Sequence, residues 1–353
     1  MDTAQNSEII TLVVRQVITE TADTKSFVLA YKHDPGNFPS YQAGQFLTFV
    51  FTRANGAEAR RNYSISSSLA MGEPLTITVK RIPNGEFSRR FVDYMQPGEE
   101  LQSLGASGLF VLPGNMAFYR QLFFFAAGSG ITPIFSLLKT VLVQHPHVRV
   151  VLVYSNKNKA STIFYEQLII LGRQFKERLI VEFIFSNAFD LLTARLNAHL
   201  LNRITSNYRE FPTNQVLYYV CGPLDYMRLV TIHLQTEGVE PGHLRKEIFH
   251  IEKPAKMPQP PDRDQHQVTL RYKGADHYFS TRYPVTILQA AKQAGLSLPY
   301  SCESGQCGTC IARCTAGSVW MYNNEVLTED ELAKGLVLTC TGFPIKGDIS
   351  LEV

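Results

Sequence analysis

Short β-rich segments separated by turns dominate the first third of the chain. They are residues 10–18, 26–31, 45–51, 61–66 and 75–80, and all are rich in Val, Ile, Thr, Phe or Tyr. Turn signals lie between them, at Asp34-Pro35-Gly36, Asn55-Gly56 and Pro83-Asn84-Gly85. Several strands at this spacing predict an antiparallel β-barrel over residues 8–112, with one helix at residues 87–95.

From residue 113 to 250 the pattern changes to apolar strands that alternate with segments of helical length. The predicted strands are residues 121–127, 148–154, 179–185 and 216–221. The predicted helices are residues 134–143, 162–175, 191–200 and 224–236. This alternation is typical of an α/β domain with a doubly wound parallel sheet.

A proline-rich segment, residues 251–265, precedes the last part of the chain. It holds four prolines between residues 252 and 262, which favours an extended spacer. Residues 266–353 then begin with a predicted hairpin, residues 267–272 and 278–281. A helix follows at residues 286–294, with Thr286 as N-cap and Gly295 at its C-terminal end. The sequence therefore predicts three modules.

Composition and charge exclude several classes of protein. A net charge of +3 argues against a nucleic-acid binder, and six cysteines in 353 residues are too few for a disulfide scaffold. The uncharged run of residues 121–138 is interrupted by Gly128-Ser129-Gly130 and Pro133, so neither half could span a membrane. With no basic leader at the N-terminus, we expect a cytoplasmic protein that binds neither membranes nor nucleic acid.

Four of the cysteines have the spacing of an iron–sulfur site. Cys302, Cys307 and Cys310 form a C-x4-C-x2-C motif, and 29 residues separate Cys310 from Cys340. This spacing predicts a 2Fe–2S cluster, since four soft thiolates suit iron and a glycine-rich loop can fold around the cluster. A structural zinc site would normally show two close pairs, and disulfides are unusual in the cytoplasm. Cys314 is expected to be a bystander thiol. The last 88 residues resemble a plant-type ferredoxin, which implies an α+β fold of the β-grasp type.

Two further segments resemble the flavin site of the ferredoxin–NADP reductase superfamily. Arg61-Asn62-Tyr63-Ser64 matches its R-x-Y-S motif, in which Arg61 would neutralise a flavin phosphate, Tyr63 would stack on the ring and Ser64 would reach flavin N5 or O4. The second segment runs from Lys80 to Ser88 and would offer helix N-terminal N–H groups to a flavin phosphate, with Gly85 allowing close approach. The predicted contacts there are Lys80, Gly85, Phe87 and Ser88. The resemblance implies FAD, with FMN as the alternative.

Strand ends in the α/β domain match the nicotinamide site of the same superfamily. Gly128-Ser129-Gly130-Ile131-Thr132-Pro133 follows an apolar strand, although Pro133 replaces the third glycine of the usual dinucleotide loop. Cys221-Gly222-Pro223 matches the C-G-P motif, whose cysteine lies beside the nicotinamide. Glu247 and Phe249 correspond to an acid and an aromatic near the flavin ring, although Phe249 could instead be a core residue. The resemblance thus implies Ser64, Cys221 and Glu247 as catalytic residues.

The loop after the second strand of this domain bears on the choice of nucleotide. It contains Ser155, Lys157 and Lys159 and no acid, which favours NADPH over NADH because a carboxylate would repel a 2′-phosphate. The alternative is that both lysines are simply solvated.

The module order is similar to that of oxygenase reductase components, including the phenylacetyl-CoA epoxidase reductase type. It implies an oxidoreductase that passes electrons from NADPH through FAD and a 2Fe–2S cluster to an oxygenase component or another acceptor protein. A redox-sensing or partner-binding protein with negligible turnover is the alternative.

Overall fold

The computed structural model describes residues 9–34, 40–53, 55–249 and 257–353, which form two compact units. The N-terminal unit comprises residues 10–106 and 110–249, apart from the gaps in these ranges. The C-terminal unit comprises residues 257–353 together with Ile9 and residues 107–109. Residues 250–256 of the predicted linker and its flank lie outside the described ranges, as do Pro35 and Gly36 of the first predicted turn.

A six-stranded antiparallel sheet forms the first half of the N-terminal unit, with strand order β4-β3-β6-β1-β2-β5. Its strands are β1 (Ile10–Thr21), β2 (Thr24–Tyr31), β3 (Phe46–Thr52), β4 (Glu58–Ser64), β5 (Thr76–Lys80) and β6 (Glu100–Ser107). A bridge between Ile65, just after β4, and Ile77 in β5 connects the two edges of the sheet. The sheet therefore closes into the predicted barrel.

The helix predicted after β5 is short and changes its pitch. It begins as α1 (Glu86–Arg89) and continues as a wider π-helical turn over residues 90–94. Phe87 and Phe91 lie on its inner side, where both are buried in the barrel core with Phe27 and Phe49. This short helix thus covers one side of the barrel with aromatic rings.

The second half of the N-terminal unit is a parallel sheet with strand order β11-β10-β7-β8-β9. Its strands are β7 (Gln121–Ala127), β8 (Arg149–Asn156), β9 (Leu179–Phe185), β10 (Val216–Cys221) and β11 (Leu244–Glu247). Its helices are α2 (Ile131–Gln144), α3 (Tyr165–Gln174), α4 (Leu191–Ala194), α5 (Ala198–Tyr208) and α6 (Leu224–Thr236).

Side-chain alternation along β7 shows that both faces of this sheet are covered. Leu122 and Phe124 belong to one hydrophobic cluster, and Phe123 and Phe125 belong to another. Successive side chains of a strand point to opposite faces, so each cluster covers one face of the sheet. This arrangement confirms the predicted doubly wound architecture.

The prediction of a single helix over residues 191–200 is wrong, because the structure has two helices there, α4 and α5. The side chain of Asp190 caps α4 by accepting a hydrogen bond from Leu192 N, and α4 ends at Ala194. Asn197 then caps a new helix, α5, with its Oδ1 atom 2.9 Å from Leu200 N. An asparagine side chain in this position competes with the continuing helix and starts a second one.

Helix α2 holds the barrel and the parallel sheet together within the N-terminal unit. Ser136 Oγ donates to the carbonyl of Ser67 at 2.5 Å, and the hydroxyls of Ser68 and Thr140 are 2.7 Å apart. Lys139, with a side chain only 5% exposed, forms an ion pair with Glu73. Breaking such a buried pair is costly, so this contact fixes the barrel against the sheet.

The C-terminal unit contains a five-stranded mixed sheet with strand order β13-β12-β16-β14-β15. The strands are β12 (His266–Tyr272), β13 (Ala275–Thr281), β14 (Ile311–Met321), β15 (Leu336–Leu338) and β16 (Gly342–Glu352). The helices are α7 (Ile287–Gln293) and α8 (Glu329–Ala333). Thr286 caps α7 as predicted, in a capping box with Gln289. Across the described ranges, no helix has the length and apolar character needed to cross a membrane.

Candidate functional site

The ends of three strands in the N-terminal unit bring the predicted catalytic residues Ser64, Cys221 and Glu247 together. Ser64 is the last residue of β4, and its Oγ atom donates to Glu247 Oε2 at 3.3 Å. Glu247 is the last residue of β11, where it lies directly opposite Cys221 in the register between β10 and β11. The contact between Ser64 and Glu247 therefore joins the barrel to the parallel sheet, across 183 residues of sequence.

All three of these side chains are shielded from water. Ser64 is 4% exposed, Glu247 7% and Cys221 0%. Burial raises the pKa of Glu247 to about 8, and the hydrogen bond from Ser64 only partly opposes this rise. Burial also raises the pKa of the Cys221 thiol, and the nearby Glu247 adds to the effect. Near neutral pH, Glu247 is thus predominantly an uncharged acid beside an uncharged thiol.

The loop after β7 approaches the end of β10 too closely for a side chain at Gly130. A Cβ atom there would lie 2.1 Å from the carbonyl oxygen of Cys221. Thr132 steadies this loop by donating from Oγ1 to the carbonyl of Ser129 at 2.9 Å, and Gly128 has the positive φ of 54°. Pro133 is buried in the first turn of α2. The predicted glycine loop and the C-G-P motif therefore form one continuous surface.

Gly222 and Pro223 lead from this surface into α6. A Cβ atom on Gly222 would be 3.0 Å from Ala127 Cβ and 3.1 Å from Tyr226 Cδ1. Ser155 lies next to the end of β8 and is half-buried, whereas Lys157 is exposed just beyond it. The backbone carbonyl of Lys157 accepts a hydrogen bond from Asn187 N at 3.1 Å, which fixes its loop to the segment after β9.

On the barrel side, Arg61 and Tyr63 occupy neighbouring positions on one face of β4. The Arg61 guanidinium lies 5.1 Å from the centre of the Phe87 ring, and its Nη1 donates to the carbonyl of Arg60 at 2.7 Å. The Tyr63 ring packs against Phe91 with ring centres 4.9 Å apart. Burial raises the pKa of Tyr63, so its hydroxyl stays protonated.

The segment before α1 makes a tight turn around Gly85. A Cβ atom at Gly85 would lie 2.3 Å from Ser88 Oγ, which itself accepts a hydrogen bond from Ile82 N at 3.1 Å. The Phe87 ring stacks on Phe51 in the barrel core, with ring centres 4.4 Å apart. The turn thus leaves no room for a side chain at Gly85 and directs the Phe87 ring away from solvent.

Lys80 and Phe249 lie at the margins of this predicted flavin site. Lys80, the last residue of β5, is 3.4 Å from Asp23 in a partly exposed ion pair. Phe249, two residues beyond β11, is 44% exposed, so it is not a core residue. This exposure contradicts the core alternative, and the role of Phe249 as a flavin shield stays a prediction.

The four predicted cluster ligands come together in the C-terminal unit. All four cysteines are buried. The Cys302 thiol contacts those of Cys307 and Cys340, and the Cys340 thiol also contacts that of Cys310. In the described residues, no group of three or more His, Cys, Asp or Glu side chains is arranged around a single metal position. A 2Fe–2S cluster instead shares four cysteine ligands between two irons.

The conformation of the cysteine loop depends on backbone hydrogen bonds and positive φ angles. Glu303, Gly305 and Gly308 have φ values of 54°, 77° and 72°. Thr339 donates from its backbone N–H and its Oγ1 to the carbonyl of Cys310, at 3.1 and 3.0 Å. Because Thr339 precedes Cys340 directly, these bonds hold the remote fourth cysteine beside the loop.

Cys314 lies apart from these four thiols, on β14. Its Sγ atom is 3.4 Å from the carbonyl oxygen of Ala316 and 3.8 Å from that of Gly317. Burial raises the pKa of this thiol. Its orientation toward its own strand fits the expected bystander.

Comparison with known proteins places these sites in a family. Profiles match the "Oxidoreductase FAD-binding domain" at residues 11–112, the "Oxidoreductase NAD-binding domain" at residues 124–231 and the "2Fe-2S iron-sulfur cluster binding domain" at residues 271–344. The ferredoxin reductase component of 3-ketosteroid-9-alpha-monooxygenase from Rhodococcus rhodochrous is 30% identical over 100% of this chain and 99% of that protein. The chain belongs to the ferredoxin–NADP reductase superfamily, in the group with a C-terminal 2Fe–2S domain.

Other relatives of this reductase share the same module order. A component of 1,2-phenylacetyl-CoA epoxidase from Escherichia coli K12 is 30% identical over 97% of this chain and 96% of that component. The solved structure of phthalate dioxygenase reductase matches all of both chains with a TM-score of 0.60 and 22% identity, which shows a shared fold. The predicted fold class, the oxidoreductase class and the FAD, NAD(P)H and 2Fe–2S domains are therefore confirmed.

Sequence reasoning missed one residue that shapes the nucleotide loop of this reductase. Tyr154, in β8, donates from its hydroxyl to the carbonyl of Gly128 at 3.0 Å, beneath the loop. A tyrosine at the end of an otherwise aliphatic strand was the available signal, since a buried hydroxyl needs a hydrogen-bond partner.

Proposed function

We propose that this reductase takes electrons from NADPH and delivers them, through FAD and a 2Fe–2S cluster, to an oxygenase component or another one-electron acceptor protein. The carrying observation is the contact of Ser64, on the FAD-binding barrel, with Glu247, beside Cys221 on the NAD-binding sheet. Relatives that span the whole chain are named as reductase components of monooxygenases, which supports an oxygenase as the acceptor.

The side chains present fit the three groups that this activity needs. FAD accepts two electrons from a nicotinamide and releases them singly, and a 2Fe–2S cluster carries one electron at a time. Arg61 offers a cation for a flavin phosphate, Gly85 keeps the turn before α1 free of a side chain, and four buried thiols form a set of soft donors suited to iron.

The residues between the two domains orient the reacting rings and exclude water. The backbone of Gly130 packs directly on the carbonyl of Cys221, since no side chain fits between them, so the nicotinamide would approach a strand end that carries no charged side chain at Gly130 or Cys221. Ser64 donates its one hydroxyl proton to Glu247, which fixes the direction of the hydroxyl, so that its oxygen would be left to accept a hydrogen bond from the flavin. A predominantly uncharged Glu247 also avoids repelling the negative charge that the flavin gains on reduction.

The preference for NADPH is supported by the charge of the loop after β8. Ser155 offers a hydroxyl, and the exposed Lys157 offers a cation for the 2′-phosphate. Because the loop has no acid, the usual carboxylate contact to the ribose 2′-hydroxyl of NADH is missing from its sequence. A lysine supplies this charge as a single point rather than as the bidentate fork of an arginine.

Steady-state reduction of cytochrome c tests the proposed function. The purified holoprotein should reduce cytochrome c continuously with NADPH and should contain about one flavin and two irons per chain. Negligible turnover with the flavin and cluster present would instead favour the redox-sensing alternative.

The ratio of kcat/KM for NADPH to that for NADH tests the nucleotide preference. A charge-assisted hydrogen bond from Lys157 corresponds to a preference of about ten- to 150-fold, and Lys157→Ala should remove most of it. Lys159→Ala is the matched control, because Lys159 lies 3.4 Å from Glu166. A wild-type ratio near or below one would refute the NADPH proposal, and a high ratio in Lys157→Ala would exclude Lys157 as its cause.

We further propose that residues 251–265 are an interdomain linker, with modules at residues 8–112, 113–250 and 266–353. Limited proteolysis should cut near Pro258 and release a flavin-containing fragment that still reduces ferricyanide with NADPH. We place the protein in the cytoplasm, where cysteines of a cluster site stay reduced before iron binds. Loss of flavin on cleavage would refute this linker position.

A further inference from the structure

Three buried polar atoms at the carboxyl edge of the parallel sheet lack normal hydrogen bonds. Ser155 Oγ, Asn156 Nδ2 and Tyr226 OH have no partner of hydrogen-bonding geometry in the part of the chain that the structure describes. Most buried polar groups in proteins are paired, so a cluster of unpaired ones needs an explanation. Its position at strand ends, beside the loop of Gly128, points to ligand binding rather than to stability.

Tyr226 connects the two loops that border this edge. It is the third residue of α6, and its ring lies against the backbone of Gly222, where a Cβ atom would be only 3.1 Å from Tyr226 Cδ1. Its hydroxyl interacts with the Ser155 side chain across the sheet edge and lies near the Cys221 side chain. Tyr226 thus lies between the C-G-P motif and the loop of Ser155 and Lys157.

The chemistry of the two hydroxyls gives them different roles. Burial raises the pKa of Tyr226, so its phenol remains a hydrogen-bond donor at every physiological pH. Ser155 is half-buried and turns about a single side-chain torsion, so its hydroxyl can be reoriented at small entropic cost. If Tyr226 donates to Ser155 Oγ, the serine proton is left free for another acceptor, and such chains of hydrogen bonds strengthen one another.

The electrostatic surroundings favour an anionic acceptor. The site lies at the first turn of α6, a helix of 13 residues whose N-terminus carries partial positive charge. The one acid of that turn, Asp225, has a 98% exposed side chain and lies 3.9 Å from Arg228. Lys157 follows Ser155 by two residues.

We propose that Tyr226 is a positioning residue whose hydroxyl orients that of Ser155 to donate a hydrogen bond to a phosphate oxygen of the bound dinucleotide. This role depends on one part of the proposed function, namely that a nicotinamide dinucleotide binds at this edge of the sheet. The phosphate is either the 2′-phosphate or the diphosphate, and the experiment distinguishes the two.

The test is calorimetric titration of NADP⁺, NAD⁺ and 2′-AMP into the oxidised holoprotein, in wild type, Tyr226→Phe, Ser155→Ala and the double variant. Tyr226→Phe should weaken NADP⁺ binding about three- to tenfold, as expected for loss of one hydrogen bond. Because Tyr226 acts through Ser155, it should cause no further loss in the Ser155→Ala background. A parallel loss for 2′-AMP, with NAD⁺ unchanged, assigns the contact to the 2′-phosphate. Equal losses for NADP⁺ and NAD⁺ assign it to the diphosphate.

Tyr218→Phe is the matched control. Tyr218, in β10, also has a hydroxyl that lacks a hydrogen bond of normal geometry, but this hydroxyl interacts with Arg209 and Glu237 instead of Ser155. An unchanged affinity in Tyr226→Phe, an equal loss in Tyr218→Phe, or an undiminished loss in the Ser155→Ala background would each overturn the proposal. If wild type binds NAD⁺ more tightly than NADP⁺, the NADPH proposal fails. The proposed role of Tyr226 and Ser155 then depends only on whether their substitution weakens NAD⁺ binding.

Discussion

The cysteine loop of the C-terminal unit and the Ser64–Cys221–Glu247 cluster of the N-terminal unit are both buried, but they are assembled differently. Three of the four thiols predicted to bind the cluster lie within nine consecutive residues, and hydrogen bonds from Thr339 hold the fourth beside them. The other site takes one residue from the end of each of three strands in two sheets. We therefore expect the cysteine loop to fail as a site when one of its thiols is removed. The strand-end site should keep the positions of its remaining side chains when one of them is replaced.

Removing one cluster ligand is the largest effect that we expect. Cys340→Ser should abolish the 2Fe–2S cluster, because an iron left with a single protein thiolate is not held. Iron and labile sulfide analysis, with visible absorption, measures the loss. Reduction of the flavin by NADPH should continue at the wild-type rate, since that site lies in the other unit.

Cys314→Ser is the control for this substitution and should retain the full content of iron and sulfide. A cluster that survives Cys340→Ser, or one that disappears in Cys314→Ser, would contradict the ligand assignment.

Glu247 should give the N-terminal unit a characteristic pH dependence of stability. Its pKa rises from the ordinary value of 4.5 to about 8 in the folded protein, so the folded state holds this proton more tightly than the unfolded state. Protonated Glu247 therefore contributes its full stabilisation below pH 4.5, and this contribution is lost as the pH rises toward about 8. This difference of about 3.5 in pKa means that the free energy of unfolding should be about 5 kcal/mol lower well above pH 8 than below pH 4.5.

Thermal unfolding of wild type and Glu247→Gln between pH 5 and 9 measures this effect, with Glu237→Gln as the control on the same domain. Glu247→Gln should flatten the fall in Tm as the pH rises. Parallel curves for wild type and Glu247→Gln would show that Glu247 ionises normally.

Arg61→Ala should weaken flavin binding about ten- to 100-fold, the effect of losing one charge-assisted contact to a phosphate. Fluorescence of flavin released on dilution gives the dissociation constant. Arg60→Ala is the neighbouring control, because Arg60 pairs with Glu58 at 2.7 Å and its side chain is on the other face of the strand. Equal losses in both variants would argue against a specific phosphate contact.

Cys221→Ala is expected to have the smallest effect, slowing hydride transfer about tenfold while the flavin stays bound. Stopped-flow bleaching of the flavin by NADPH measures the rate. An unchanged rate would place Cys221 away from the nicotinamide and would leave Ser64 and Glu247 as the functional pair.

The sequence was sufficient to predict those parts of the fold and site that depend on residues close together along the chain. The cysteine spacing named all four thiols that the structure brings together. Short β-rich segments predicted the barrel, and the alternation of strands and helices predicted the parallel sheet, although β6 and β11 were not predicted. Strands β14 and β16 were not predicted, because β14 (Ile311–Met321) has only one buried position and no regular alternation of buried and exposed side chains. The break between α4 and α5 depends on one asparagine cap, which a propensity pattern does not resolve.

Contacts across long separations could not be read from the sequence. Motifs and family resemblance identified Ser64, Cys221 and Glu247 one at a time, but no spacing rule predicts a hydrogen bond between residues 64 and 247. It depends on how α2 packs against the barrel, through Ser136, Thr140 and Lys139. Tyr226 was missed for the same reason, since it lies in helix α6 and Ser155 lies in strand β8.

Strands β7 and β10 have no exposed position: every residue from Gln121 to Ala127 and from Val216 to Cys221 is buried. A library designed to change the nucleotide preference of this enzyme should therefore leave these strands constant, since nearly every substitution there would disturb one of the two cores. The substitutions should instead be made in the loops that follow β8 and β9 and in the first turn of α6. Those few positions are exposed enough to vary independently, so a small combinatorial screen would cover the accessible changes in specificity.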